Sequence, residues 1–317
     1  YEIAQCLVGS EMCIRDSAMV LVLGSLQLGL IYGLLAIGIY IVFRIMNIPD
    51  LTAEGSFTLG LTVSAVLSIA GHPVIGILLG MAAGALAGVV TGFLQTKLMI
   101  HPVLSGILTM SGLYSINIMI MGESSNLSLI KADTIFRIAY KMFPGLSRDA
   151  VKIIIPAVFA VVFSLILILF FRTRLGLCIR ATGDNEDMVR ASSINADMTK
   201  VLALAIANAC IAAAGGLLAQ YQGYADINSG VGILVVGLAS VIIGEVFGGR
   251  RNITAGIICS VFGAVIYRFI IAFAIKSSIF PAYMLKFLSA VIVAIALSIP
   301  AIKQYIGMYR TRMGGRR

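Results

Sequence analysis

Charged side chains are scarce in this chain. Asp, Glu, Lys and Arg make up 12% of its 317 residues, about half the share of an ordinary soluble domain. Hydrophobic residues reach 60%, and the mean hydropathy is +1.03. So much apolar mass cannot be hidden inside one water-soluble core, which excludes an ordinary cytosolic enzyme, a disordered chain and a disulfide scaffold. Histidine is almost missing too: His72 and His101 each stand beside a proline at the boundary of an apolar run. There is no H-E-x-x-H, no G-x-S-x-G, no metal-spaced Cys/His set and no G-x-x-x-x-G-K-[ST] loop. The chain is therefore read as a non-enzyme without a metal site, and any ATP-driven step needs an ATPase on another polypeptide. Cys178 falls in a polar loop, while Cys210 and Cys259 fall in apolar runs, where a free cysteine serves as a small hydrophobe.

Long apolar runs are what the chain has in abundance. A helix needs about 20 apolar residues to cross the bilayer core. Such runs fall at 18–43, 55–70, 74–96, 102–121, 151–171, 200–220, 230–247, 253–275 and 282–302. The pattern predicts an all-α, polytopic transmembrane helical bundle of about nine spans, with eight to ten as the range. Spans 55–70 and 230–247 are short, as re-entrant or broken helices lining a cavity are, and 44–70 is a candidate for such a break.

The net charge of +9 comes from basic residues that lie between the apolar runs. They form no patch interleaved with aromatics, which points to membrane orientation and away from nucleic acid. With the C-terminus cytoplasmic, the inner segments hold 14 basic residues, among them Arg44, Lys97, Arg172, Arg174, Arg180 and Arg190, against 7 outside. The 122–150 loop departs from this bias with Lys131, Arg137, Lys141 and Arg148. Residues 1–17 begin without Met, break the apolar pattern and lack the basic lead of a signal peptide. Their stretch CLVGSEMCIRDS resembles translated adaptor sequence found at the ends of environmental gene fragments. They are set aside as a non-native leader; 18–305 is read as the membrane domain and 306–317 as a basic cytoplasmic tail.

Gly76, Gly80, Gly84, Gly88 and Gly92 recur at every fourth position of one span. This spacing lays a stripe of small residues along a helix, fit for tight packing or for a sliding surface. Charges inside the spans are nearly absent. Glu245 sits near Arg250 and Arg251, where a local ion pair is expected, and Arg268 lies in the outer half of its span, free to snorkel outward. No carboxylate is evident near mid-membrane, which weighs against a proton- or sodium-coupled carrier without excluding sodium held by carbonyls and hydroxyls.

Two polar segments stand out. In FRIMNIPDLTAEGSF (43–57), Pro49 biases Ile48 towards extended backbone, ending one helix near Asn47, and Asp50 or Thr52 can cap the next, with Glu54 near its positive end. The segment is either a capped cytoplasmic helix start or a broken helix on the translocation path. On the second reading Asn47, Asp50, Glu54, Ser56 and Thr58, with Ser105, Thr109, Ser111 and Asn117 beyond, line the path of a small polar solute. Hydroxyls in such helices equally serve packing, bonded to their own backbone. The other segment is RTRLGLCIRATGDNEDMVRASSINADMTK (172–200). Asp184 as N-cap with Asp187 at N3 predicts a short helix to about Ser192. Met188 and Ala191 share its small apolar face, and Asp187 and Arg190 lie elsewhere. It is either a solvated loop or a helix that docks in a partner's groove.

The stretch RATGDNEDMVRASSINADMTKVLALAIANACIAAAGGLLAQYQG, followed by LASVIIGEVFGG, resembles the permease subunits of ABC importers of the branched-chain amino acid and simple-sugar permease family. RIMNIPDLTAEGSFTLG resembles the N-terminal element of that family in its P-D-L-T and G-S-F variant. The resemblance covers about residues 18–305. One departure is Ser193, where members commonly place Gly before Ile-Asn. The resemblance implies a multi-pass subunit of the bacterial inner membrane, paired with a second copy or a related permease. It implies a cytosolic ATPase that binds ATP and Mg, leaving no cofactor in this chain, and a periplasmic or lipid-anchored substrate-binding protein. The coupling loop is then 172–199, its helix 184–192, and the ATPase-coupling residues are Gly183, Asp184, Asn185, Glu186, Asp187, Met188, Arg190, Ala191 and Ser193. The family takes up branched-chain amino acids, sugars and nucleosides, and the P-D-L-T variant resembles members proposed to serve amino acids, aromatic ones included. The alternative is a gradient-driven carrier or channel that works without an ATPase.

Overall fold

A computed structural model describes residues 2–142, 145, 147–248 and 252–276, with the single positions 287, 290, 291, 294 and 298. The expected ninth span 282–302 and the basic tail lie almost wholly outside the described residues. Eight helical segments long and apolar enough to cross a membrane are present among the described ones, each within a few residues of an expected run.

Helix α1 (Glu2–Ile39) continues as a π turn over Tyr40–Ile45, and its backbone is helical through the segment set aside above. Then come α2 (Thr52–Ile69), α3 (Pro73–Thr96) and α4 (Pro102–Ile120). Pro73 and Pro102 open their helices at the first turn, where no N–H is needed and the fixed φ suits a helix. A strand β1 (Asn126–Ser128) and α5 (Ile135–Met142) lead to α6 (Arg148–Phe171), which Ser147 caps by accepting from Ala150 N. Two short helices follow, α7 (Arg174–Asp184) and α8 (Glu186–Ala191), and then α9 (Ala196–Gln222), which ends at Gly223 in the left-handed conformation. Strand β2 (Tyr224–Asp226), a 3-10 turn Ile227–Gly230, α10 (Ile233–Gly248) and α11 (Ile253–Lys276) complete the described chain. The polar stretch read as a loop around Cys178 is thus the helix α7, started by the Thr173 side chain.

Among the described spans, α9 is the most enclosed and α6 the least. The glycine stripe explains the close approach at the centre. Gly76 and Gly80 on α3 face Ser64 and Gly60 of α2, and Gly84, Gly88 and Gly92 face Asn208, Leu204 and Val201 of α9. A methyl group added at Gly92 would lie 2.8 Å from Val201 Cα, closer than real side chains come. At the opposite end from α8, β1 and β2 pair antiparallel, Leu127 against Ala225, and join the α4–α5 link to the segment after α9.

Both short spans are interrupted helices. After the π turn the chain reverses at Asn47, φ 53°, and runs without helical structure to Leu51 before α2 begins. This return brings Asp50 beside Asn208, near the midpoint of α9. Helix α2 therefore starts inside the bundle, and its 18 residues rise only about 27 Å, less than a bilayer core of about 30 Å. Likewise α10 starts only after the 3-10 turn and Gly232, φ 83°. The 43–57 segment is a broken helix rather than a plain capped start.

Candidate translocation cavity and coupling surface

The two interruptions meet. Gly232 N donates to Glu54 Oε1 at 3.0 Å, and Gly230 packs on the Glu54 carbonyl and the Thr58 hydroxyl. Around this junction α2, α4 and residues 227–231 line an open-sided cavity of about 270 Å³. Glu54, Thr58, Ser111 and Asn117, expected on the path, are brought together in its wall, with Gly55, Met110, Tyr114, Ile227, Gly230 and Val231. The Thr58 hydroxyl donates to Glu54 O at 3.0 Å, while Asn117 Oδ1 accepts from Thr62 at 3.4 Å. The wall combines a carboxylate and uncharged polar groups with apolar and aromatic side chains. Met110 and Tyr114 could have been found from helical spacing, since they share a face of α4 with Ser111 and Asn117. Residues 227–231 carry no such signal, because only tertiary packing brings them to α2.

The other path candidates stand elsewhere. Ser105 donates to Pro102 O and Thr109 to Ser105 O. Thr109 also ends a buried hydroxyl chain, Thr52 to Thr91 at 2.8 Å and Thr91 to Thr109 at 3.0 Å, that ties α2, α3 and α4 together. Ser56 is buried, and its hydroxyl has no partner among the described residues. Asn47 lies at the α8 end, where its amide donates to Gly183 O at 3.2 Å. Asp50 is 1% exposed and is not in the wall of this cavity; its carboxylate accepts from Thr52 N at 2.8 Å and from Asn208 Nδ2 at 2.9 Å. A buried carboxylate therefore does stand at mid-height, contrary to expectation, because the reversal at Asn47 carries a residue from between two spans back into the bundle.

Glu245 pairs with Arg44 of the π turn, Nε to Oε1 2.5 Å; its expected partners Arg250 and Arg251 lie outside the described residues. Another charge differs from expectation. Arg268 does not snorkel outward. Its guanidinium lies 3.7 Å from the centre of the Tyr32 ring inside the bundle, a cation held on an aromatic face.

The coupling helix starts one residue later than expected. Asp184 ends α7, and Asn185, in extended backbone, is the cap, its Oδ1 accepting from Met188 N at 3.0 Å. Met188 is 55% exposed, Asp187 and Ala191 are also exposed, and Val189 turns inward. Glu186 accepts from Arg190 at 2.9 Å and from Lys200 at 2.6 Å, and Arg190 also reaches Asp197 at 2.7 Å. The Lys200 hydrogen bond, helped by Arg190, holds the Glu186 carboxyl below the usual carboxylate range. Behind this network the Thr182 and Thr199 hydroxyls meet at 2.9 Å, and Gly183 packs on Ile45 O. Helix α8 closes with Ser193 N on Arg190 O and Ile194 N on Val189 O, the paired bonds of a left-handed helix stop. Ser193 itself sits at φ 60°, the conformation that favours the glycine expected there.

A family model described as branched-chain amino acid transport system / permease component matches residues 21–314. A tyrosine transport system permease protein of Clostridioides difficile is 37% identical over 248 residues, covering 78% of this chain and 80% of the relative. A Methanocaldococcus jannaschii protein named "Probable branched-chain amino acid transport permease protein LivH" is 25% identical over 236 residues, 71% of this chain and 72% of the relative. No solved structure matches the chain.

Proposed function

The chain belongs to the branched-chain amino acid transport permease family, and from that premise we propose that it forms the translocation path of an ATP-driven amino acid importer. A separate cytosolic ATPase binds ATP and Mg and docks on α8. A substrate-binding protein delivers the solute to the opposite face, and a second copy or a related permease completes the pore. The chain sits in the bacterial inner membrane with α8 and the C-terminus cytoplasmic. Closure of the ATPase pair pushes α8 and shifts the bundle between outward and inward access.

The observation that carries this reading is the build of α8. A six-residue helix is too short to be stable alone, yet here it is capped and fixed to α9 through Glu186, Arg190, Lys200 and Asp197, while Met188 and Ala191 are left outward. A rigidly mounted apolar face suits a helix that fills a partner's groove and transmits force.

The cavity supports an amino acid as cargo. Glu54 offers a carboxylate for an ammonium group, Thr58, Ser111 and Asn117 offer uncharged polar contacts, and Met110, Tyr114, Ile227 and Val231 offer an apolar wall for a side chain. Its mixed lining suits a branched-chain or aromatic amino acid better than a sugar or nucleoside, and the tyrosine permease relative favours the aromatic class.

Asp50 favours a second reading. A carboxylate buried at mid-height is what a gradient-driven carrier uses. Co-expression with the ATPase encoded beside the gene, followed by pull-down through this chain, separates the two. The importer reading expects ATPase to co-purify with wild type and to be lost on deletion of 184–192. A stable chain that binds no ATPase in either form would leave the carrier.

A further inference from the structure

We propose that Asp50 and Asn208 are the positioning pair that carries movement of α8 into the cavity wall. The inference rests on the reading of α8 as the ATPase-facing helix. Burying a carboxylate at mid-height costs free energy unless it is well bonded, and here both oxygens are used. A helix cap needs only the bond from Thr52 N. The bond from Asn208, 158 residues away in the chain, pins a non-helical segment to the central helix instead. Asn208 is fully buried, and its amide also donates to Leu204 O at 3.0 Å, so the donor is aimed from both sides.

Each end of this joint leads somewhere. On one side, α9 runs unbroken and without proline from Ala196 to Asn208, a rod of about 18 Å. Its first turn is bound to α8 by the Glu186–Lys200 and Arg190–Asp197 pairs and to α7 by Thr199. On the other side, Thr52 begins α2, and Glu54 lies in its first turn with Gly232 N on its carboxylate. The re-entrant segment is gripped twice, at Asn47 by the Gly183 carbonyl of α7 and at Asp50 by Asn208 of α9. A shift of α7 and α8 therefore reaches residues 47–50 from both directions, and the first rigid element beyond them is the turn that holds Glu54 in the cavity. Asp50 is buried and is not in the wall of this cavity, so it acts through position and not by touching the cargo.

The test uses the whole complex in proteoliposomes, with ATP hydrolysis and amino acid uptake measured on the same sample. Asn208→Ala removes the donor and leaves the helix intact. The expected result is unchanged ATPase assembly, hydrolysis within about twofold of wild type, and uptake per ATP reduced tenfold or more. A purely structural role would lower hydrolysis, uptake and the yield of assembled complex together. Asn208→Gln, which keeps an amide on a longer stem, should assemble even if Asn208→Ala does not, with coupling still reduced. Full coupling in an assembled Asn208 variant, or failure of both variants to assemble, overturns the inference and leaves the importer reading standing. A wild-type complex that takes up nothing with ATP overturns both.

Discussion

Ser193 holds a left-handed conformation, φ 60°, at the stop of α8. An L residue with a side chain pays about 1 kcal/mol or more there, and glycine does not. Ser193→Gly should therefore raise the stability of the purified permease by about 1 kcal/mol, seen as a higher unfolding midpoint, and Ser193→Val should lower it. Glu186 carries a pH dependence. Its pKa is lowered in the fold, so the stability it gives is complete above the ordinary glutamate range and fades as pH falls through its lowered value. Protection of the α8 amides, taken as exchange relative to the free-peptide rate at each pH, should fall on acidification below the ordinary glutamate range, and Glu186→Gln should remove that dependence. Glu54→Gln keeps an oxygen for Gly232 N but loses the charge. If the carboxylate meets the ammonium of the cargo, uptake KM rises about 10- to 100-fold, the value of a charged hydrogen bond of about 1.5–3 kcal/mol; an unchanged KM would remove Glu54 from the path.

At the scale of elements, the same residue type has opposite consequences on neighbouring helices. A side chain at Gly88 meets the Leu204 carbonyl of α9, whereas nothing lies within 4 Å of the position it would take at Gly112 on α4. Gly88→Ala should lower the thermal midpoint of the permease and Gly112→Ala should leave it unchanged or slightly higher, a contrast that one melting series checks. The apolar runs made the spans legible because lipid imposes one simple rule, and prolines 73 and 102 marked two starts. The α7 helix was not legible: RLGLCIRATGD has no long apolar run, and its order comes from the Thr173 cap and from packing on Phe171 and Ile45. The role of Asp50 was hidden for a related reason. Its position in sequence says helix start, and only contact with Asn208 shows that the start is deep in the bundle. The cavity was half legible, since hydroxyls and amides advertise themselves on α2 and α4 while the 227–231 wall is made by Gly230 and Gly232 and by the return of the chain after α9.

For the whole molecule, the alternation of spans puts α8 and the β1–β2 pair at opposite ends; with α8 cytoplasmic, as proposed, an outcome follows for labelling. Met188→Cys should react with a membrane-impermeant maleimide only in inside-out vesicles, and Tyr224→Cys, at a position 47% exposed, only in intact spheroplasts; the reverse pattern would invert the orientation. The three-residue ladder of β1 and β2 has a further consequence, for inheritance. Asn126 pairs with Asp226, and Asp226 caps the very turn, Ile227–Gly230, that walls the cavity. The β1 loop and the cavity wall are thus distant in sequence but one part in space. A chimaera that exchanges residues 122–147 with a relative and leaves 224–232 behind would mismatch the two, so recombination between such permeases should succeed only where both stretches travel together.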